Sequence, residues 1–471
     1  MFMRLIYDEK LAQGAYLIGC QKSGTAIVID PERDVDRYID LARANGLKIT
    51  AVAETHIHAD FVSGARELAE KVGATVYVSG EGGDDWQSKW VDAYDHVKLK
   101  DGDSFSIGNI EFRAVHTPGH TPEHMVYVVT DHGSGASEPI GVCTGDFLFV
   151  GDLGRPDLLE SAAGQQGAME PSAKRLYSSA KWLGELPEYI QVWPGHGAGS
   201  ACGKALGAVP MSTVGYEKRF NPALKLAIDS GSSEGSFVDF ILEGQPEPPM
   251  YFANMKRVNR DGPAVLGHLP QPRKMHLAEM TAIDPMQAAI IDTRPWAQYR
   301  DGHLPGAMSF PLSNSFNTDA GSMVREDEDI YLILEPSRLE EGTRDLVRIG
   351  LDRVKGWMDS SEMAGAAQLA STPEVDAAEA DGLIDSGVPV LDVRRATEYA
   401  SGHIDGATNI AHTRLASRLN EVPNNGKLLV HCQGGVRSAR ACGYLQRLGY
   451  DCINLKGGYA AWHKEQAGAT A

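Results

Sequence analysis

Short apolar runs separated by glycine-containing turns dominate the first half of the chain, a spacing that predicts strands more often than helices. Ala26–Ile29, Ile49–Ala53, Ala74–Val78, Ile110–Val115, Met125–Val129, Gly141–Thr144 and Ile190–Trp193 read as strands. Asp34–Asn45 and Ala65–Val72 read as helices. Several of the strands run straight into a loop that carries His or Asp. Such loops line their polar residues along one rim of a sheet scaffold, where sites tend to form.

The pattern changes after about residue 245. Gln245-Pro246-Glu247-Pro248-Pro249 is proline-rich and reads as a semi-rigid linker. Two αβ segments follow, at about 271–365 and 374–466. Ile291-Asp292-Thr293-Arg294-Pro295 and Gly302-His303-Leu304-Pro305-Gly306-Ala307 in the former answer to Leu391-Asp392-Val393-Arg394-Arg395 and Gly402-His403-Ile404-Asp405-Gly406-Ala407 in the latter. Tyr299 and Tyr399 take equivalent places between these blocks. A repeat of roughly one hundred residues is too long for a solenoid unit and predicts a duplicated domain.

Length and charge narrow the function classes. A chain of 471 residues exceeds one ordinary core and predicts about three domains. The net charge of −19, with no local basic patch, argues against nucleic acid as a partner. Small anionic substrates stay possible, since a few pocket arginines override a negative exterior. No apolar run approaches a bilayer span, and Met1–Lys10 lacks a basic start followed by an apolar stretch, so the expected location is cytoplasmic, without a membrane partner. Six cysteines are too few for a disulfide framework in so long a chain. Each reads as a buried thiol, except where its neighbours say otherwise: Cys432 and, more weakly, Cys202.

The chemistry-bearing residues sit at strand ends. Thr55-His56-Ile57-His58-Ala59-Asp60-Phe61, His116-Thr117-Pro118-Gly119-His120-Thr121, Thr144-Gly145-Asp146 and Trp193-Pro194-Gly195-His196 occur in that order. These four motifs resemble the metallo-β-lactamase superfamily, and the resemblance spans the amino-terminal half. Two-metal hydrolases of that superfamily carry Thr-His-X-His-X-Asp-His, whose last histidine binds the second ion. Here that place is Phe61, which ligates nothing. The lone-metal branch is the persulfide dioxygenases. By that resemblance His56, His120 and Asp146 would hold one Fe(II) per chain, with no organic cofactor. Two imidazoles and one carboxylate leave positions open, as non-haem iron oxygen chemistry requires. His58, Asp60 and His196 would support the ligands from behind or line the pocket. Cys202, six residues after His196, would either accept sulfur or fill space. Arg155 would hold the thiol substrate's carboxylate, a surface ion pair being the plainer alternative. Lys218 and Arg219 are weaker candidates. His116 and His124 flank the site in sequence and are expected to take bland roles.

Near the carboxyl end, the apolar strand Lys427–His431 runs into Cys432-Gln433-Gly434-Gly435-Val436-Arg437-Ser438, and Ser438–Leu448 reads as a helix. A strand–loop–helix of this kind aims backbone N–H groups at the sulfur. The helix dipole and Arg437 favour the thiolate, while Gly434 and Gly435 allow the tight cradle. Sulfite or thiosulfate would bind the same way. This segment resembles the rhodanese sulfurtransferases over its full length, including Asp392, Gly402-His403-Ile404 and Lys456-Gly457-Gly458. Phosphatases of the same fold place five residues between Cys and Arg; four intervene here, the smaller loop expected for sulfur. In the earlier copy Ile330–Leu334 runs into Glu335-Pro336-Ser337-Arg338, and no cysteine lies between Cys202 and Cys432. That copy reads as an inactive spacer.

The expected architecture is therefore α/β: a metallo-β-lactamase αββα sandwich at 1–245, an inactive rhodanese-like αβα domain at 271–365 and an active one at 374–466. This order resembles the bacterial persulfide dioxygenase–sulfurtransferase fusions of sulfide detoxification. The resemblance implies that a low-molecular-weight persulfide, O₂ and water give a thiol and sulfite at Fe(II), and that Cys432 passes a sulfane sulfur on, giving thiosulfate. It also implies a homo-oligomer, dimer or tetramer. Joining the sites would raise the local concentration of sulfite at the second. Two rivals stay open. A dinuclear zinc thioesterase of the glyoxalase II type with a rhodanese appendage is disfavoured by Phe61. A sulfur-carrier or persulfide-sensing protein with a structural metal is disfavoured by the open ligand set.

Overall fold

Successive side chains of a strand point to opposite faces, so an all-apolar strand feeds two cores at once. In Thr25–Ile29, Ile27 and Ile29 join a central core with Tyr16, Phe112, Tyr127 and Trp193. Ala26 and Val28 join an outer core with Tyr38, Leu68 and Val76. The computed structural model describes residues 1–161 and 164–469, in two compact units, Met1–His268 and Leu269–Ala471.

The first unit stacks two six-stranded sheets. β1 (Phe2–Asp8), β2 (Gln13–Cys20), β3 (Thr25–Ile29), β4 (Lys48–Ala53), β5 (Thr75–Ser79) and β6 (His96–Leu99) lie in chain order in one sheet. The other is built from β7 (Ser104–Ile107), β8 (Ile110–His116), β9 (Met125–Asp131), β10 (Gly141–Gly145), β13 (Gln191–Pro194) and β14 (Ser212–Thr213), in the order β14-β13-β10-β9-β8-β7. β11 (Leu148–Phe149) and β12 (Asp152–Leu153) pair as a short ribbon. Helices Asp36–Ala44 and Ala65–Val72 cover the first sheet, and Met169–Glu185, Pro222–Ile228 and Glu234–Leu242 cover the second. This is the αββα sandwich. The pattern missed β1, β2, β6, β7 and β14, besides the short β11–β12 ribbon: β1, β6 and β7 border their sheets and carry polar residues on an open face, which interrupts the apolar run, and β11, β12 and β14 are two residues each.

The proline-rich segment does not end this unit. Beyond it, helix Phe252–Asp261 returns and docks: Trp90 Nε1 donates to Asn259 O (3.2 Å) and Arg66 Nη1 to Pro263 O (2.8 Å). The compact unit runs to His268, past the expected boundary at 245.

The second unit holds two parallel five-stranded sheets of the same order. One is β15-β19-β18-β16-β17, from β15 (Arg273–Lys274), β16 (Ala288–Asp292), β17 (Met308–Ser309), β18 (Asp329–Leu334) and β19 (Val354–Asp359). The other is β20-β24-β23-β21-β22, from β20 (Glu374–Val375), β21 (Val390–Asp392), β22 (Thr408–Asn409), β23 (Lys427–His431) and β24 (Asp451–Leu455). Thr293 N–H donates to Ile333 O and Val393 N–H to His431 O, both at 2.9 Å, which equates Leu334 with Cys432. Among the described residues, no helix is long and apolar enough to cross a membrane.

Candidate functional site

The ends of β4, β8, β10 and β13 converge at one rim of the sandwich, and each delivers a polar side chain. Ligand atoms of His56, His120 and Asp146 all lie within 4.8 Å of one another, and all three residues are buried. Asp146 Oδ2 stands 3.9 Å from His56 Nε2 and 3.6 Å from His120 Nε2.

Hydrogen bonds behind these side chains fix which atom each presents. Asp30, held at φ 50°, accepts from Thr55 N–H (2.7 Å) and Thr55 Oγ1 (2.8 Å). With its proton so used, Thr55 Oγ1 accepts from His56 Nδ1 at 2.9 Å. His120 Nδ1 donates to Arg155 O at 3.1 Å. Both rings therefore turn an Nε2 lone pair inward. Burial pulls both imidazoles below their ordinary range, which keeps them neutral. Burial alone would raise the Asp146 carboxyl, but His196, His56 and His120 hold it well below the usual carboxylate range. Asp146 Oδ2 is buried and has no hydrogen-bond partner. Two neutral imidazoles and an unpartnered carboxylate oxygen on one face fit a single divalent cation.

His196 supports this face from behind, donating from Nδ1 to Asp146 Oδ1 and from Nε2 to Asp60 Oδ2, each at 2.7 Å. Burial opposes its charge, yet the two carboxylates push it up to about 10. Gly195 is required there, because a Cβ would sit 2.9 Å from Asp146 Oδ1. His58 is drawn aside: its Nε2 lies 2.8 Å from Glu54 Oε2 and 3.2 Å from Asp30 Oδ1. Phe61 is fully buried, its ring 4.4 Å from that of His58. Cys202 stands with two other candidate ligands: its sulfur, Asp60 and His196 form a second group within 4.8 Å. Burial pushes the Cys202 thiol well up.

Three expectations change. Arg155 is 1% exposed, and three of its five N–H groups are taken: Nε and one on Nη2 by Asp157 (2.8 and 2.6 Å) and one on Nη1 by Ala201 O (2.9 Å). It braces His120 and the Cys202 loop from within a buried ion pair with Asp157, not a surface one. Lys218 donates to Leu186 O (2.8 Å), and Arg219 lies exposed on the same helix; neither joins the group around Asp146. His124 is not bland: its Nε2 accepts from Asp146 N–H at 3.2 Å, and its ring stacks on His56 at 5.1 Å. His116 only ties its loop, through Pro122 O (2.8 Å). Sequence reasoning also missed Asp30, Glu54 and Asn259. Asp30 ends β3 as Asp146 follows β10, a signal that was available. Asn259, some 200 residues from the loop it holds, gave none.

In the second unit Cys432 is buried at the end of β23. Gly435 N–H donates to its Sγ at 3.2 Å and Ser438 Oγ at 3.6 Å. Gly435 has φ 88° and opens helix Val436–Arg447, so the helix amino terminus faces the sulfur. Gly434 is exposed with open space around it. Arg437 is shared: its Nη1 and Nη2 reach Glu398 at 2.6 and 2.7 Å. The equivalent place in the earlier copy is filled by buried Leu334.

Residues 11–196 match the metallo-β-lactamase superfamily, and residues 276–347 and 376–465 match the rhodanese-like domain. A crystal structure described as a metallo-β-lactamase from Staphylococcus aureus is 40% identical, with a TM-score of 0.67, covering 76% of this chain and 98% of that one. The mitochondrial persulfide dioxygenase ETHE1 of Homo sapiens is 28% identical over 232 residues, 49% of this chain and 78% of its own length. A probable polyketide biosynthesis zinc-dependent hydrolase, BaeB of Bacillus velezensis, is 25% identical over 212 residues, 45% and 84%. The chain therefore belongs to the metallo-β-lactamase superfamily, and two rhodanese-like domains follow its metallo-β-lactamase fold.

Proposed function

We propose that the chain is a persulfide dioxygenase joined to a sulfurtransferase, with domains at about 1–268, 271–365 and 374–466. The carrying observation is the face of two histidines and one carboxylate, with Phe61 where the last histidine of the two-metal motif would stand. Similarity to ETHE1 supports the same reading. His56, His120 and Asp146 would hold one Fe(II), which supplies a centre at which O₂ and the terminal sulfur of a persulfide meet. One persulfide, one O₂ and one water then give one thiol, one sulfite and two protons. The residues around the centre prepare it: Thr55 and Arg155 O fix the imidazole tautomers, and His124 and His196 fix the carboxylate. A cavity of about 600 Å³ lined by Asp84, Trp86, Pro122, Leu159 and Arg175 is the candidate seat of the carrier thiol. It shares Pro122 with the His120 loop, and its Trp86 and Leu159 pack on Ile57.

At the second site Cys432 would carry the sulfane sulfur. Sulfite attacks the outer sulfur of the Cys432 persulfide, the S–S bond to the protein breaks, and thiosulfate leaves. The Cys432 thiolate so formed takes the Gly435 N–H and the Ser438 hydroxyl as donors.

A second reading has its own observation. Cys202 brings a thiol to Asp60 and His196, so three ligands for another thiophilic cation stand together despite Phe61. In that case the site is a two-zinc hydrolase.

Oxygen uptake by anaerobically Fe(II)-loaded protein, with metal content measured beforehand, separates the two. Uptake on adding persulfide, lost in His120→Ala, with one iron per chain, is expected. No uptake with glutathione, coenzyme A or inorganic persulfides, together with two zinc ions that fall to one in Cys202→Ser, would replace the dioxygenase reading with the hydrolase.

A further inference from the structure

Glu54 follows β4 directly and precedes Thr55-His56-Ile57-His58 in the chain, so the strand that delivers the metal motif also delivers a carboxylate beside it. The side chain is buried, and both of its oxygens are engaged. Oε2 lies 2.8 Å from His58 Nε2, and Oε1 accepts from Ser63 Oγ. The Glu54 carbonyl accepts from the Tyr127 hydroxyl of β9 at 2.7 Å. The carboxylate is thus fixed from the opposite sheet and from the loop beyond Phe61, and whatever it holds is held in place.

What it holds is an imidazole that stands beside the metal face. The His58 ring centre is 4.2 Å from that of His56 and 4.4 Å from that of Phe61. Its Nε2 turns to Glu54 and Asp30, and these three form a group of their own. That group is already satisfied from within the protein. Thr55 N–H and Thr55 Oγ1 occupy the two Asp30 oxygens at 2.7 and 2.8 Å, and Ser63 occupies Glu54 Oε1. The Asp30 oxygen that serves Thr55 N–H is also the one 3.2 Å from His58, which leaves Glu54 as the nearer and stronger partner of the ring. His58 Nδ1 is buried and has no hydrogen-bond partner. With no bond at Nδ1, the hydrogen bonds at Nε2 decide which way the ring faces.

We propose that Glu54 is a positioning residue: it holds the His58 imidazole off the metal face and so keeps the protein ligands to His56, His120 and Asp146. The proposal rests on those three residues holding a single cation, as proposed above. A hydrogen bond to a buried carboxylate is charge-assisted, and turning His58 onto a cation would leave Glu54 Oε2 buried and unpaired. Three protein ligands leave positions open on an ion for two reactants. A further imidazole would give the four-ligand set of nitrogen and oxygen that suits zinc. Glu54 therefore governs how many ligands the site offers, and with that which metal it favours.

The test is Co(II) substitution in the full chain, stripped of metal by a chelator and reloaded anaerobically to one Co(II) per chain. Visible absorption reports the ligand number, because Co(II) with four ligands absorbs severalfold more strongly than Co(II) with five or six. Glu54→Ala should raise the absorption of the bound ion severalfold, and Glu54→Ala/His58→Gln should return it to the level of the unaltered chain. His58→Gln alone should change neither spectrum nor affinity, since it still offers an N–H to Glu54 and removes no ligand. An unchanged spectrum in Glu54→Ala, or a rise that persists in the double variant, would overturn the proposal. Weaker Co(II) binding in His58→Gln would overturn it as well, by making His58 a ligand of the unaltered chain, and that variant decides the matter if Glu54→Ala does not fold. His120→Ala separates this proposal from the reading beneath it. Undiminished Co(II) binding there removes the three-ligand face itself, whereas binding lost in His120→Ala with no response to Glu54→Ala removes only the role of Glu54.

Discussion

Asn259 makes the sharpest structural prediction. Its Nδ2 donates to His58 O (2.8 Å) and Phe61 O (2.7 Å), and its Oδ1 accepts from Ser63 N–H (2.9 Å). These three buried bonds pin the loop that carries His58 and Asp60 to a helix lying beyond the proline-rich segment. Each bond contributes about 1 kcal/mol net, and each group left unpaired costs more, so Asn259→Ala should weaken loop docking by about 3 kcal/mol. That is roughly a hundredfold more frequent opening, since about 1.4 kcal/mol is tenfold. Hydrogen exchange in a peptide covering 55–64 measures it directly, with the Ser63 amide gaining most. Asn259→Asp should be at least as damaging at neutral pH, because it sets an anionic oxygen against two carbonyl oxygens, and it should recover as the carboxyl is protonated. Exchange that quickens less than about threefold in Asn259→Ala would refute the view that this helix holds the motif.

Other expectations follow from single contacts. Gly195→Ala places a Cβ against Asp146 Oδ1 and should weaken metal binding about 10–100-fold in a chelator titration; unchanged affinity would mean that the carboxylate is not a ligand. Glu123, 1% exposed, is pushed up to about 7 by burial from an ordinary 4.5. The folded chain keeps that proton between about pH 4.5 and 7 while the unfolded chain has lost it, so stability present below this window falls as pH rises through it, by about 3 kcal/mol. Urea midpoints in Glu123→Gln should lack that slope, and an identical slope in both proteins would exclude Glu123 as its source. Arg447→Met leaves buried Glu328 with only the more distant Arg325 guanidinium, 4.0 Å away, a loss of up to about 3 kcal/mol. Exchange should quicken together in peptides covering 285–334 and 427–447; a response confined to the latter would mean that the two copies are not clamped through this helix.

Much of this was legible in the sequence, for physical reasons that also explain what was not. Met125–Asp131 showed itself because a strand buried on both faces is apolar almost throughout, and Ile110–His116 because its apolar residues alternate with Glu111 and exposed Arg113. His56, His120 and Asp146 were legible because each follows such a strand. What lies behind them was not, because a supporting bond leaves no periodic trace. Thr55 fixes the His56 tautomer through Asp30, and His124 reaches the Asp146 backbone, by contacts that depend on packing between strands. Arg155 misled for the same reason. A glycine-flanked arginine after Asp146 looks free in one dimension, and only the fold brings Asp157 and Ala201 onto its donors. Cys202 stood near His196 in the sequence, but only the closed loop brings its sulfur beside Asp60.

The duplicated half separates the residues that make a fold from those that make a reaction. Arg294 Nη2 donates to Asp292 (2.6 Å) and Gly302 O (2.8 Å), and Arg394 Nη2 repeats this with Asp392 (2.7 Å) and Gly402 O (2.8 Å). Tyr299 stacks on His303 and Tyr399 on His403, both at 3.9 Å, and each tyrosine hydroxyl donates to the carbonyl of Ala307 or Ala407. The copy with Leu334 in place of the cysteine keeps every one of these contacts. They therefore tie the end of β16 or β21 to the following turn whether or not the copy carries a cysteine, although Arg394 also donates from Nη1 to Gln433 of the Cys432 loop at 3.2 Å. The same inference carries to the active copy, where Asp392 and His403 look like site residues by their position in the motif. The difference between the copies that bears on a sulfur cradle lies in the loop. Four residues separate Cys432 from Arg437 but three separate Leu334 from Arg338, and Pro336 removes one of the N–H groups that a sulfur cradle would need. A match to the rhodanese-like domain thus carries the scaffold to both copies, while a cysteine at the loop is present in only one. The interface between them sets a carboxylate of the silent copy against an arginine of its partner domain, Asp319 Oδ2 lying 3.5 Å from Arg440 Nε.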